Sequence, residues 1–380
     1  MKNSARFIVR CTAALLVVTG GLLASSVSSQ ASTTISPFLN GTTSSGQFEA
    51  GGYNNSLAMD SSGGIWSVNG IGGSVVKADV RTERPTTFTR MVAPSQMGGE
   101  LAAMISFGAD DALWVVTTSG NVFLFPSGFT SGTNGTMYAD GTSIAGGPPN
   151  GITVVGARVY LSNFSGTVVS FPTGLSSGAL PVTTGTSFAT GLVPAVQGLT
   201  TDGTSVVVAD DGQNNGEATS GIYRLTTTGG PYTSPAYWID CTAIPGIIPV
   251  GVTFAPDGTF YVSSYNKGIY VASPNSTTVT LMIDANTIMG QYPDAMVADG
   301  TTLFATGLSA DPLNVVFAID MGPLPTTTTT QAPTTTMPAT STTVSPGRLA
   351  STGFPFGRLV ALGGVLLGLG TLARRKVRRV

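Results

Sequence analysis

The sequence predicts an all-β fold, a six-bladed β-propeller of four-stranded blades, and three observations predict it. One unit, clearest at Gly251–Ser273, recurs about six times between Phe48 and Asp320. Its runs are short, rich in Val, Ile, Tyr, Phe and Thr, and punctuated by Gly, Asp and Asn at turn positions. No long stretch between Ser32 and Gly322 carries a 3.6-residue apolar period.

The copies register on the residue after the first turn: Trp66, Trp114, Tyr160, Val207, Tyr261 and Phe304. Their spacings are 48, 46, 47, 54 and 43 residues, a period that means a propeller when the elements are strands. In the fifth copy the four strands read GVTFA, TFYVSS, GIYVAS and VTLMID. The first hairpins turn at Asp/Gly pairs such as PDGT and TDGTS, which tolerate positive φ. One such unit cannot bury both its faces, whereas six arranged radially can. The last copy ends at LNVVFAID without a fourth strand, so the strand around Gln47-Phe48-Glu49 is expected to complete blade six.

The flanks are of different material. Residues 1–31 read as a secretory signal: Lys2, Arg6 and Arg10, then the apolar run Thr12–Ala24, then a small-residue cleavage site at Ser29-Gln30-Ala31. Export leaves Cys241 as the single cysteine of the mature chain, a buried apolar thiol with no disulfide partner. The propeller spans 32–322. Residues 323–348 form a Thr/Pro-rich stalk, in which 11 of the 18 residues from Thr326 to Thr343 are Thr. Such a segment is disordered and extended, and its Pro323–Pro346 part makes a spacer of roughly 75 Å at about 3.1 Å per residue. Residues 349–380 hold an apolar run, LVALGGVLLGLGTLA, expected as a hydrophobic helix, and then Arg374, Arg375, Lys376, Arg378 and Arg379.

Charge and composition narrow the function. All 19 Asp and Glu lie between Glu49 and Asp320 with only seven Lys and Arg, so the propeller carries −12 while the whole chain carries −2. An acidic domain without a basic track argues against nucleic-acid binding. The chain has no histidine, which removes Ser-His-Asp and Cys-His catalysis and every His-ligated metal. Asp110-Asp111 reads as a turn. LAMDSSGGIW approaches the Asp-box of sialidases with the wrong spacing before Gly63. The loop Val208–Leu225 gathers Asp210, Asp211, Asn214, Asn215 and Glu217, oxygen ligands suited to Ca²⁺. The same residues read more readily as a capped hairpin turn, in which Asp and Asn side chains bond the turn backbone.

Two resemblances add to this reading. Leu349-Ala350-Ser351-Thr352-Gly353, the apolar run and the basic tail together resemble the cell-wall sorting signal of Gram-positive surface proteins, in the LAxTG variant of the LPxTG motif. The resemblance implies cleavage by a sortase between Thr352 and Gly353 and linkage of Thr352 to peptidoglycan. The alternative is a single membrane span with a cytoplasmic C-terminus. Separately, VVVADDGQNNGEATSGIYRL resembles an NHL repeat, and GVTFAPDGTFYVSS is similar to both NHL and SMP-30/gluconolactonase-like propellers. SMP-30-like lactonases hold a divalent cation in the central channel, and by that resemblance Glu49, Asn150 and Asp294 take the ligand positions. The chain departs from the pattern at Pro249, Val250 and Gly251, which offer no side-chain ligand.

The expectation is therefore an exported propeller held on a stalk at the cell wall or surface, a non-catalytic binding or adhesion module for an extracellular ligand. A metal-dependent, lactonase-like hydrolase with its site in the channel is the alternative.

Overall fold

The structure, a computed structural model, describes residues 34–39, 56–69, 72–78, 89–192, 196–212, 220–242, 244, 246–264, 267–284, 292–300, 302–308 and 315–321. They form six antiparallel sheets, one per copy, in a β-propeller. Blade one comprises Leu57–Met59, Ile65–Asn69, Ser74–Ala78 and Thr89–Val92, and blade two Ala102–Phe107, Leu113–Thr117, Asn121–Phe125 and Thr136–Asp140. Blade three is built from Pro149–Val155, Arg158–Asn163, Thr167–Pro172 and Thr186–Thr190. Blade four follows with Val196–Thr201, Ser205–Asp210, Gly221–Thr226 and Ile239–Asp240. Blade five runs through Pro249–Phe254, Phe260–Ser264, Gly268–Ala272 and Thr280–Asp284. In each, the first strand is innermost and neighbouring inner strands touch around the whole ring.

The aligned residues explain why the copies repeat. Trp66, Trp114, Tyr160, Val207, Tyr261 and Phe304 each enter a different one of six apolar clusters, and each cluster joins a blade to the next. One aligned apolar side chain per period thus helps seal one blade-to-blade interface. The turns hold as the sequence requires. In blade four, Asp202 Oδ1 accepts from the N–H groups of Thr204 (2.8 Å) and Ser205 (2.7 Å), while Gly203 takes φ 89°.

Blade six corrects the expected closure. Its sheet runs Tyr292–Asp299, Thr302–Leu308, Val315–Asp320 and then Thr34–Leu39 outermost, with Thr34 opposite Asp320 and Ile35 opposite Ile319. The ring is closed by an N-terminal strand, but by Thr34–Leu39. Gln47-Phe48-Glu49 lies outside the described residues. The closing strand carries Pro37, which an outermost strand tolerates because one of its edges pairs with no described strand.

The long interval between Val207 and Tyr261 also has a structural reason. Tyr232–Thr233 leaves copy four and adds a short parallel strand to the outer edge of blade three. Its Tyr232 ring packs edge-on against Phe188 at 5.6 Å. Cys241 is free and fully buried, and burial pushes its thiol up to about 12. The signal, stalk and sorting segments lie outside the described residues; among those that are described, no helix is long and apolar enough to cross a membrane.

Candidate functional site

The inner strands enclose a cavity of about 320 Å³, at the small end of the range for ligand pockets, and all six blades contribute to it. Its wall follows the repeat. Taking each inner strand from the residue paired with the aligned aromatic, one ring of the wall is Leu57, Ile105, Ile152, Leu199, Val252 and Met296. The residues just before them are mostly small: Ser56, Met104, Gly151, Gly198, Gly251 and Ala295.

Small residues are required there because the strands approach closely. A Cβ on Gly198 would stand 2.5 Å from the Val250 carbonyl oxygen, and one on Gly251 would collide with the carbonyl oxygen of Asp294.

One step further back, five inner strands break register with their partners. The irregularities fall between Ala102 and Met104, Pro149 and Gly151, Val196 and Leu199, Pro249 and Val252, and Pro293 and Met296. A β-bulge interrupts the pairing and re-aims the extra residue. Here it brings Ala103, Asn150, Gln197, Val250 and Asp294 to the cavity wall. The corresponding residue of blade one lies outside the described residues.

Three of these five carry the polar chemistry. Asn150 donates both N–H groups of its amide, to Val196 O and to Gln197 Oε1, each at 2.8 Å. Gln197 Nε2 in turn donates to Asp211 Oδ2 at 2.7 Å. Asp294 is reachable from the cavity yet ringed by protein, and desolvation pushes its carboxyl up to about 7. No described residue hydrogen-bonds its side chain, although Ser263 Oγ donates to its backbone carbonyl at 2.7 Å and fixes the strand. Among the described lining residues Asp294 is the one titratable group.

The expected site residues separate into three sets. Asn150 and Asp294 line the same cavity, as the lactonase-like resemblance implies, while Glu49 lies outside the described residues. Asp210 and Asp211 sit at the end of blade four's second strand, 0% and 1% exposed. Asp210 Oδ1 accepts from Gly212 N–H at 3.0 Å, the turn-capping geometry. Burial pushes the Asp210 carboxyl up to about 7, with neighbouring Asp211 adding to the rise, against hydrogen bonds from Gly212, Tyr237 and Tyr223. Their proposed companions Asn214, Asn215 and Glu217 lie outside the described residues, as do Leu349, Ala350, Ser351, Thr352 and Gly353.

Asp110-Asp111 is a turn. Asp110 Oδ1 accepts from Ala112 N–H at 3.2 Å, and Asp111, at φ 60°, accepts from Ser61 of blade one through both that residue's backbone N–H (2.9 Å) and its hydroxyl.

A channel cation was tested against this wall. Calcium takes six to eight oxygen ligands. The wall supplies one carboxylate, Asp294, and the Asn150 side-chain oxygen, and Val250-Gly251 of blade five adds no side-chain oxygen. Among the described residues no group of three or more Asp, Glu or Cys is placed to hold a metal ion. The described residues do not form a cation ring.

Gln197 was missed by sequence reasoning, although a signal for it exists. Asn150-Gly151, Gln197-Gly198 and Asp294-Ala295 each place a polar residue before a small one at the head of an inner strand, once per period.

No known protein family and no curated protein matches the chain. Solved structures do match in fold. A calcium structure of a Trichoderma reesei protein of carbohydrate-active enzyme family AA12 is 12% identical with a TM-score of 0.51, covering 76% of this chain and 96% of that one. The holo form of the pyranose dehydrogenase PQQ domain from Coprinopsis cinerea is 13% identical with a TM-score of 0.50, covering 76% and 95%. A protein of unknown function from Bacteroides thetaiotaomicron is 12% identical with a TM-score of 0.50, covering 76% of each chain. At these identities the likeness is one of fold alone: the chain is a six-bladed β-propeller.

Proposed function

We propose that this chain is an exported propeller, displayed at the cell surface on its Thr/Pro stalk, that binds a small ligand in the central channel and releases it unchanged. The observation that carries the reading is the repeated bulge. Five inner strands are broken at one equivalent position, and the residues so presented (Ala103, Asn150, Gln197, Val250 and Asp294) vary while the wall around them repeats. A constant wall with variable residues at one level is how a propeller takes on a binding specificity of its own. Binding without turnover is supported by the isolation of Asp294, which has no second titratable group beside it on the described wall to complete an acid–base pair.

A fragment screen by ligand-observed NMR on the full-length chain tests this. Hits are expected to be lost in Ala103→Phe, which fills the cavity from blade two, and to be recovered chemically unchanged. Hits that persist in that variant would place binding elsewhere, and conversion of a hit would make the protein an enzyme. Display is tested on cells: a wall-linked fragment ending at Thr352 is the expected product, and an intact tail found only in the membrane fraction would end the sorting reading.

The hydrolase reading keeps one specific support, the shared cavity of Asn150 and Asp294. It requires a native cation site, so millimolar Ca²⁺ added after chelation would raise the melting temperature. A native-state ligand at a hundredfold excess over its dissociation constant stabilises by about 2.7 kcal/mol. Binding without metal predicts no shift.

A further inference from the structure

The hydrogen bonds behind the channel wall bear on which chemistry it recognises. Asp211 is 1% exposed, and a carboxylate accepts rather than donates, so Gln197 must turn its amide nitrogen toward it. That orientation leaves Gln197 Oε1 facing Asn150, which answers with an N–H and gives its second N–H to Val196 O. Asn150 then has no N–H left for a ligand, only its Oδ1. The second unpartnered group on the wall is the Asp294 carboxylate, and no Lys or Arg is among the described lining residues. Apart from the exposed Thr118 hydroxyl, the partnerless side-chain groups of the described wall are therefore hydrogen-bond acceptors, one of them anionic, beside a ring of apolar side chains.

We propose that the channel takes a small organic ammonium, which donates its N–H groups to Asp294 and Asn150 and lays an apolar body against the ring that includes Ile152 and Met296. The proposal rests on the channel-binding reading above and supplies its ligand class. In it Asp294 is the contacting residue, and Asp211 is a positioning residue that sets the sense of the Gln197–Asn150 amide pair from behind the wall. An alcohol of the same shape satisfies the acceptors without the charge, and a carboxylate meets Asp294 with like charge in a desolvated place.

Calorimetric titration of the full-length chain with benzylammonium, benzyl alcohol and benzoate tests this, since the three share a body and differ in the head group. Benzylammonium is expected to bind, benzyl alcohol about tenfold more weakly or worse, and benzoate not measurably. Asp294→Asn is expected to weaken benzylammonium about tenfold or more while circular dichroism stays unchanged. Asp211→Asn, whose amide can donate as well as accept, frees Gln197 to turn, so the preference for ammonium over alcohol narrows; a merely structural role would lower both affinities together.

Benzoate binding as tightly as benzylammonium, or benzylammonium binding unaffected by Asp294→Asn, would overturn the proposal. If all three probes bind alike and Ala103→Phe abolishes them, the channel still binds and only its polarity is wrong. If none binds, the ammonium proposal falls, and the fragment screen decides the channel reading separately.

Discussion

Two carboxylates, Asp60 in a blade-one turn and Asp294 in the channel, are both withdrawn from water, yet they end at opposite ends of the titration range. Burial works against the charge of Asp60, but Ser62, Trp66, Lys77 and Gly64 all donate to it and hold its carboxyl down at about 2. The distances are 2.6 Å from Ser62 Oγ, 2.8 Å from Trp66 Nε1, 2.7 Å from Gly64 N–H and 3.0 Å from Lys77 Nζ. Asp294 receives no such donor from the described residues, and desolvation alone raises it to about 7. Partners decide the charge of a withdrawn carboxylate, and burial only sets what is at stake. Asp60 spends its oxygens on the fold, tying a turn to the Trp66 that seals blades one and two. On the proposal above, Asp294 keeps its oxygens for a ligand.

The contrast requires a closed ring, and opening it is the largest perturbation. Deleting residues 34–39 strips blade six of its outer strand and is expected to abolish the single cooperative transition in urea; an unchanged melt would show that closure does not depend on that strand.

Next in size is Asp60→Ala, which removes the acceptor of the Trp66 N–H and one partner of the Lys77 ammonium. It should cost about 2–4 kcal/mol in urea unfolding at pH 7. Because the folded carboxyl lies below its ordinary value of 3.8, the stability it contributes is present above about pH 4 and lost as pH falls toward 2. Asp60→Asn should flatten that acid limb.

Asp294→Asn should move stability the other way. The folded carboxyl is raised from 3.8 to about 7, so the folded state binds the proton more tightly, and stability declines as pH rises through that interval. The variant should be more stable than the parent at pH 8, by on the order of 1–3 kcal/mol, and no different below pH 3.5. No titratable group faces Asp294 from the described wall, so the effect belongs to that residue.

Asp111→Asn marks the small end. Asp111 is partly exposed, and its bonds to Ser61 join two blades near the surface. The change should stay within about 0.5 kcal/mol, because exposed polar contacts exchange with water at little net gain.

The parts of the fold legible in the sequence are those that repeat within a copy. The six aligned residues, the Asp-Gly turns and the four-stranded unit are local patterns with one physical cause each, and the structure keeps them. Contact across copies was legible only in part: closure by an N-terminal strand was expected, but not which strand makes it. The closing strand Thr34–Leu39 pairs with a segment at the far end of the propeller, and Tyr232–Thr233 crosses to a neighbouring blade. Neither pairing leaves a trace in local periodicity.

The site shows the same division. Asn150 and Asp294 were reachable through a family resemblance, while Gln197 and the role of Asp211 were not. Their link is a bond between residues 14 apart on adjacent strands, made possible by a bulge that shifts the register. A bulge is a property of pairing, and an unpaired sequence does not display it.

Asp294 lines the channel, and no described residue hydrogen-bonds its side chain. Its carboxyl titration, followed by carbon NMR in the full-length chain and assigned by loss of the signal in Asp294→Asn, tests that most directly. A midpoint near 7 is expected, moving downward when an ammonium ligand is bound. A midpoint near the ordinary value of 3.8, indifferent to ligand, would show a carboxylate already satisfied by water or protein and would contradict the channel as the binding site.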